Sequence, residues 1–144
     1  GPSDWAFKVE DENVYCTDQF YAYGTKSFLA DHPDDPDKQI RFFCTESDEV
    51  MIEHRGVVSL SDGEAQFRLP DEFCMMSEPG TYSVIVTPQT LEPPDKIGAV
   101  VDQNGVVEIR SFGGNVNCDV AFVVYSTRIG YKDYPSVIDR LNHR

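Results

Sequence analysis

The chain has 144 residues, of which 40% are hydrophobic, enough for one domain with a single core and too few for two well-formed ones. Its formal net charge is −13, and its basic residues are scattered singly, which argues against nucleic acid or anionic membranes as partners. Because no apolar run approaches the roughly 18 residues that span a bilayer, we expect no membrane insertion.

Short runs rich in aromatic and β-branched residues, separated by turn residues, predict strands along most of the chain. The alternating pattern is clearest in residues 82–87, whereas the run at 119–125 is apolar on both faces and therefore predicts a central, buried strand. The other predicted strands are residues 5–9, 14–16, 20–23, 26–29, 40–44, 50–60 with an interruption at Gly56, 65–69, 99–101 and 106–110.

Two tight turns predict hairpins. Ser61-Asp62-Gly63-Glu64 lies between the runs 57–60 and 65–69, and Asp102-Gln103-Asn104-Gly105 lies between 99–101 and 106–110. Asp-Gly and Asn-Gly favour such turns because they adopt positive φ at low steric cost.

Proline-rich segments at 31–37 and 91–96 predict loops, and Pro70 followed by acidic residues favours a short helix near Pro70–Met76. The sequence thus predicts an all-β fold: an antiparallel sandwich or a barrel-like domain with one short helix.

The four cysteines, Cys16, Cys44, Cys74 and Cys118, contain no C-x-x-C pair, which argues against a zinc knuckle or a redox motif. Two disulfides are possible in three pairings. The simpler interpretation is that most of them are buried as small apolar side chains.

Residues 26–73 carry a distinctive series of short motifs. It begins with K-S-F-L-A-D-H-P-D-D-P at 26–36 and continues with E-S at 46–47, R-G at 55–56, G-E-A at 63–65 and L-P-D-E-F at 69–73. This series resembles a β-domain found near the carboxyl ends of fibre-like and adhesin-like proteins of bacteria, tailed phages and large DNA viruses. The chain departs from that pattern at Ala30 and His54, where the family has isoleucine and an aromatic residue.

The resemblance implies a terminal domain on an elongated, trimeric surface fibre, and it brings no catalytic residues with it. Together with the composition of the two ends, it divides the chain into three expected regions. Residues 1–24 are leading strands or the end of a fibre shaft, with Gly1-Pro2 typical of a cloning scar. Residues 25–128 form the β-rich tip domain, and 129–144 form a polar tail that is either a short helix or disordered.

The Asp-Pro loop offers oxygen and nitrogen ligands that could hold a hard cation such as calcium. Its spacing lacks the glycine and glutamate of an EF-hand, and Asp and Pro favour turns by themselves. We therefore expect a structural corner, with no metal and no cofactor. The residues concerned are Asp31, His32, Asp34, Asp35 and Asp37.

Two catalytic arrangements are conceivable. A carboxylate pair could hydrolyse glycosides, with Glu49 and Glu53 on one face of a strand, although a solvated acidic face is the simpler interpretation. His54 could activate Ser59 or Cys44, although no nucleophile signature surrounds them. The acidic cluster consists of Glu46, Asp48, Glu49 and Glu53.

Aromatic residues toward the two ends of the chain, with polar neighbours, are candidates for stacking on sugar rings. The alternative is that they pack in the core or at a subunit interface. The candidates are Trp5, Tyr21, Tyr23, Tyr131 and Tyr134.

These observations together predict a non-enzymatic structural or adhesive tip domain of a surface-exposed or extracellular fibre. Its expected partners are two further copies of itself and a cell-surface glycan or an envelope protein. The alternatives are a carbohydrate-active enzyme that uses the acidic residues and a cap that drives trimer assembly.

Overall fold

The computed structural model describes residues 7–141. They form two compact units, of which the first ends at Glu46 and the second begins at Ser47. Residues 25–46 of the expected tip domain thus belong to the first unit.

The first unit contains an antiparallel hairpin of β1 (Ser27–Asp31) and β2 (Gln39–Phe43). The Asp-Pro loop joins the two strands, and the His32 amide closes it by donating to the Lys38 carbonyl oxygen at 3.0 Å. Residues 7–25 contain no strand, so the strands predicted at 14–16 and 20–23 are wrong. Polar residues cut these runs to three or four positions, and no neighbouring strand pairs with them.

The second unit is a β-sandwich of two three-stranded sheets. Its elements in chain order are β3 (Met51–Ser59), β4 (Glu64–Arg68), α1 (Asp71–Met75), β5 (Ser83–Pro88), β6 (Pro94–Val101), β7 (Val106–Gly114) and β8 (Asp119–Thr127). One sheet has the order β3-β8-β5 and is called the β8 sheet; the other has the order β4-β7-β6 and is called the β7 sheet. All neighbouring strands are antiparallel.

The core lies between the two sheets, where alternate residues of every strand point inward. Val107 and Ile109 on β7 and Val120 and Val124 on β8 are completely buried. The predicted antiparallel all-β sandwich with a short helix is therefore confirmed, and so is the central position of β8.

The first predicted hairpin is wrong in its pairing. β3 pairs with β8 and β4 pairs with β7, so the turn at 61–64 carries the chain from one sheet to the other. Gly63 has a φ of 84°, and a Cβ there would lie 2.7 Å from the Ser111 carbonyl oxygen. Only glycine fits this close approach.

The second predicted hairpin is confirmed, since β6 and β7 pair around the turn at 102–105. One carboxylate oxygen of Asp102 accepts hydrogen bonds from the amides of Asn104 and Val106, at 2.8 and 2.9 Å. The side chain thereby accepts from two backbone donors at the turn and holds its shape.

Two strand boundaries differ from the prediction. β3 continues through Gly56 without interruption. The Phe122 ring of β8 occupies the space that a side chain at this position would need, which explains a glycine within the strand. β6 begins at Pro94 instead of following a loop that extends to residue 96. A proline is compatible with the first position of an edge strand, where its missing amide breaks no ladder hydrogen bond.

Candidate functional site: the outer face of the β7 sheet

The described aromatic residues predicted to bind sugar are divided between the two units. Tyr21 and Tyr23 are exposed in the first unit, where the Tyr21 hydroxyl donates to the Gln19 side chain. Tyr131 and Tyr134 belong to the second unit. Trp5 lies outside the described residues.

Tyr131 and Tyr134 do lie together, with their ring centroids 5.0 Å apart. The Arg128 guanidinium lies 4.9 Å from the Tyr131 ring centroid, an arrangement typical of a cation–π contact. The Gly130 amide donates to the Glu78 carboxylate at 3.0 Å. These contacts hold the start of the predicted tail against the sandwich, although residues 129–141 contain no helix.

The side chains of Asp31, His32 and Asp35 are hydrogen bonded within the loop and its hairpin. Asp35 accepts from the Asp37 amide at 3.0 Å and pairs with Lys38 at 2.7 Å. His32 Nδ1 accepts from the Asp34 amide, and Asp31 accepts from the Gln39 side chain. The Lys38 ammonium, followed by the Asp37 amide, holds the pKa of Asp35 below its usual value.

These bonds are those expected of the structural corner that the sequence predicts. Across residues 7–141, no group of three or more His, Cys, Asp or Glu side chains is arranged to hold a metal ion.

All four residues of the acidic cluster are exposed. Glu46 pairs with Lys26 in the first unit, at 2.8 Å. Glu49 precedes β3, and its amide donates to the Ser47 hydroxyl. Glu53 is exposed on the outer face of β3, opposite Tyr125.

His54 lies on the inner face of β3, where its ring centroid is 5.9 Å from those of both Phe73 and Phe122. Ser59 points to the opposite face of the same strand and donates to the Asp119 carboxylate at 2.5 Å. The imidazole therefore packs in the core and cannot activate this hydroxyl. Cys44 belongs to the first unit.

All four cysteines are free, but they differ in burial. Cys118 is buried and Cys74 half-buried, whereas Cys16 and Cys44 are exposed. The expectation that most are buried is therefore wrong for the two cysteines of the first unit, because the described part of this unit, residues 7–46, contains no buried hydrophobic residue.

The structure forms a concave site that the sequence did not indicate, on the outer face of β6 and β7. We call it the Gly98 site. Its cavity has a volume of about 450 Å³. The lining residues are Gly98, Ala99, Val100, Glu108, Arg110 and Phe112.

The strand register explains how these residues come together. Gly98 lies opposite Arg110, with Val100 opposite Glu108 on one side and Lys96 opposite Phe112 on the other. Because Gly98 has no side chain, the sheet surface has a depression between its neighbours. A Cβ added at Gly98 would meet no atom within 4 Å, so the glycine leaves open space.

The walls of the Gly98 site combine apolar and charged groups. Phe112 and Val100 are 64% and 61% exposed, large fractions for apolar side chains. Arg110 forms an ion pair with Glu108 beside them, which holds a carboxylate acceptor next to a guanidinium donor. Exposed apolar surface beside orientating polar groups is typical of a small-molecule site.

Sequence reasoning missed this site because it assigned residues 91–96 to a loop and ended the second strand of the hairpin at residue 110, before Phe112. With β6 beginning at Pro94 and β7 ending at Gly114, Lys96 and Phe112 become strand residues on one face. The available signal was an alternation centred on Gly98, with Lys96 and Val100 two positions away on either side.

Comparison of the chain with known protein families, with curated proteins and with solved structures finds no match. Within residues 7–141, no helix has the length and apolar character required to cross a membrane.

Proposed function

We propose that this chain is a non-enzymatic recognition domain at the tip of a trimeric surface fibre, and that it binds cell-envelope glycans through the Gly98 site. The observation that carries the proposal is the exposed Phe112 ring beside the ion-paired Glu108 and Arg110. The fibre and its trimeric state come from the resemblance of residues 26–73 to fibre-tip domains.

The chemistry of the site suits a pyranose ring. A phenyl ring can pack on the apolar face of a sugar, while a carboxylate accepts from sugar hydroxyls and a guanidinium donates to them. The Glu108–Arg110 pair limits the motion of both groups before a ligand arrives, which lowers the entropic cost of binding.

Three sites on one fibre would compensate for weak binding at each of them. A shallow, open site of this kind makes few contacts, but linking several copies raises the effective concentration of the unbound sites. The rigid strands of the sandwich hold the site residues in place, because both β6 and β7 are fixed by ladder hydrogen bonds.

A glycan array followed by titration calorimetry of the best oligosaccharide tests the proposal. We expect Phe112→Ala to weaken binding by about tenfold, since the loss of an aromatic contact costs about 1–1.5 kcal/mol. Ile85→Ala is the matched control, because Ile85 is an exposed apolar residue on the outer face of the other sheet. The proposal fails if no oligosaccharide binds, or if Phe112→Ala binds as well as the unchanged chain.

The non-enzymatic part of the proposal has a separate test. The oligosaccharide that binds best is incubated with the protein, and new reducing ends are measured. We expect none. Release of reducing ends that Glu53→Gln abolishes would instead support the carbohydrate-active enzyme.

A further inference from the structure

We infer that Gly98 is the specificity-determining residue of the Gly98 site, and that the space above it receives the hydroxymethyl group of a hexopyranose. The inference rests on the proposed binding of glycans and names the part of the sugar that the site recognises. The observation behind it is a glycine in the middle of a regular, exposed strand where the protein itself does not require one.

A glycine inside a strand weakens that strand. It contributes no side chain to the packing and loses more conformational freedom on folding than any other residue. Gly98 nevertheless lies in the middle of β6. A glycine in such a position usually marks a bulge or bend in the strand, or a place where another backbone or a ligand comes close.

The conformation of β6 does not require a glycine at this position. Each residue from Lys96 to Val101 pairs with one residue of β7 in unbroken register, so the strand has no bulge there. Gly98 is also not among the glycines with positive φ. Any L-amino acid can therefore adopt its backbone conformation.

The neighbouring parts of the chain do not require it either. A Cβ at Gly98 would meet no atom within 4 Å, whereas a Cβ at Gly56 would lie 2.9 Å from the Phe122 ring. The glycine of β3 thus makes room for a ring of the protein, and the glycine of β6 makes room for nothing in it. Close approach of a ligand is the explanation that remains.

The strand register determines which part of a ligand reaches this space. Gly98 lies opposite Arg110, and Phe112 lies two residues further along β7. Residues on such a diagonal are about 7–8 Å apart, within reach of an aromatic side chain. A pyranose that packs on the Phe112 ring therefore places the substituents at its edge above Gly98.

A hydroxymethyl group matches the surroundings of this space. Its methylene carbon can contact Val100, which is 61% exposed on the same face of β6. Its hydroxyl can donate to the Glu108 carboxylate or accept from the Arg110 guanidinium, which pair with each other beside it. Hexopyranoses carry this group, whereas pentopyranoses lack it and would leave the space empty.

Titration calorimetry with matched pairs of sugars tests the inference. Glucose and xylose oligosaccharides of the same linkage and length differ only in the hydroxymethyl group, as do the methyl glycosides of galactose and L-arabinopyranose. We expect the hexose of at least one pair to bind about tenfold more tightly than its pentose, since a group of this size changes affinity by about that factor. Gly98→Ala should weaken hexose binding about tenfold and leave pentose binding nearly unchanged.

Gly24→Ala is the matched control, because a Cβ at Gly24 also meets no atom within 4 Å and this glycine lies in the first unit. It should bind both sugars as the unchanged chain does. Circular dichroism in urea verifies that Gly98→Ala remains folded, so that a loss of binding reports on the site.

Gly98→Ala is titrated in addition with the oligosaccharide that the glycan array selects. If it binds this ligand as tightly as the unchanged chain does, or if hexose and pentose bind equally, the inference about Gly98 is overturned. Glycan binding that Phe112→Ala weakens would then still support the proposed function. Absence of binding to every oligosaccharide would refute the proposed function itself.

Discussion

Two strand glycines with opposite surroundings allow a sharp test of the sandwich packing. A Cβ at Gly56 on β3 would lie 2.9 Å from Phe122 Cζ and 3.0 Å from its Cε1. A Cβ at Gly98 on β6 would meet nothing within 4 Å. Replacing either glycine by alanine adds the same methyl group, so the local packing should decide whether the free energy of unfolding rises or falls.

The expected magnitudes follow from this difference. Replacing glycine by alanine without strain stabilises a fold by about 0.4–1 kcal/mol, because the unfolded chain loses freedom. At Gly56 this gain is opposed by overpacking, which costs about 1–3 kcal/mol. Phe122 is only 8% exposed and its ring centroid lies 4.7 Å from that of Phe67, so the ring cannot move away freely.

We therefore expect Gly56→Ala to lower the free energy of unfolding by about 1–2 kcal/mol and Gly98→Ala to raise it by up to about 1 kcal/mol. At about 4–8 °C per kcal/mol for a domain of roughly 100 residues, Gly56→Ala should lower the melting temperature by about 5–15 °C.

Urea unfolding followed by circular dichroism measures both variants. Adding Phe122→Leu to Gly56→Ala should remove part of the clash, so the double variant should lose less stability than the sum of the two single changes. A Gly56→Ala variant as stable as Gly98→Ala would refute the packing of the Phe122 ring over β3.

Three further predictions concern hydrogen bonds. Ser77→Ala should lower the free energy of unfolding, measured in urea, by about 1–3 kcal/mol, because the buried Ser126 hydroxyl loses the Ser77 Oγ that it contacts at 2.6 Å. Ser126→Ala should lower it less, since Ser77 keeps its hydrogen bond to the Phe73 carbonyl oxygen of α1. Asp102→Ala should cost about 1–2 kcal/mol because two turn amides lose their acceptor, whereas Asp102→Asn should cost little; equal losses would contradict this role. In a pH titration followed by NMR, Lys38→Gln should raise the lowered pKa of Asp35 toward its usual value. Because the pKa of Asp35 is lower in the folded chain than in the unfolded one, its contact with Lys38 stabilises the fold at neutral pH. This stabilisation is lost as the pH falls through the pKa of Asp35 in the folded chain.

Local patterns identified most strands of the sandwich. The patterns of residues 82–87 and 119–125 predict β5 and β8, because alternation and apolar runs are properties of a single segment. The same reasoning fails at residues 14–16 and 20–23, where the residue types suit a strand but no partner strand pairs with them. A strand forms only where another strand pairs with it, and the sequence of one segment does not show whether such a partner is present.

The pairing between segments also explains why the sequence alone did not predict the candidate site. The Asp-Gly turn at 61–64 is read correctly as a turn, yet it joins two sheets because β8 pairs with β3 and β7 with β4. The Gly98 site requires Gly98 to lie opposite Arg110, and this register follows from the length of the turn at 102–105.

The sequence by itself determined the all-β class, the central buried strand, the short helix and the turn residues, because each depends on the conformational preferences of a few consecutive residues. The tertiary structure alone decided which strands share a sheet, which face of each is covered and that Gly98 and Phe112 line the same site. The physical reason is that alternation gives every strand two faces, while only packing against the rest of the chain decides which of the two faces is buried.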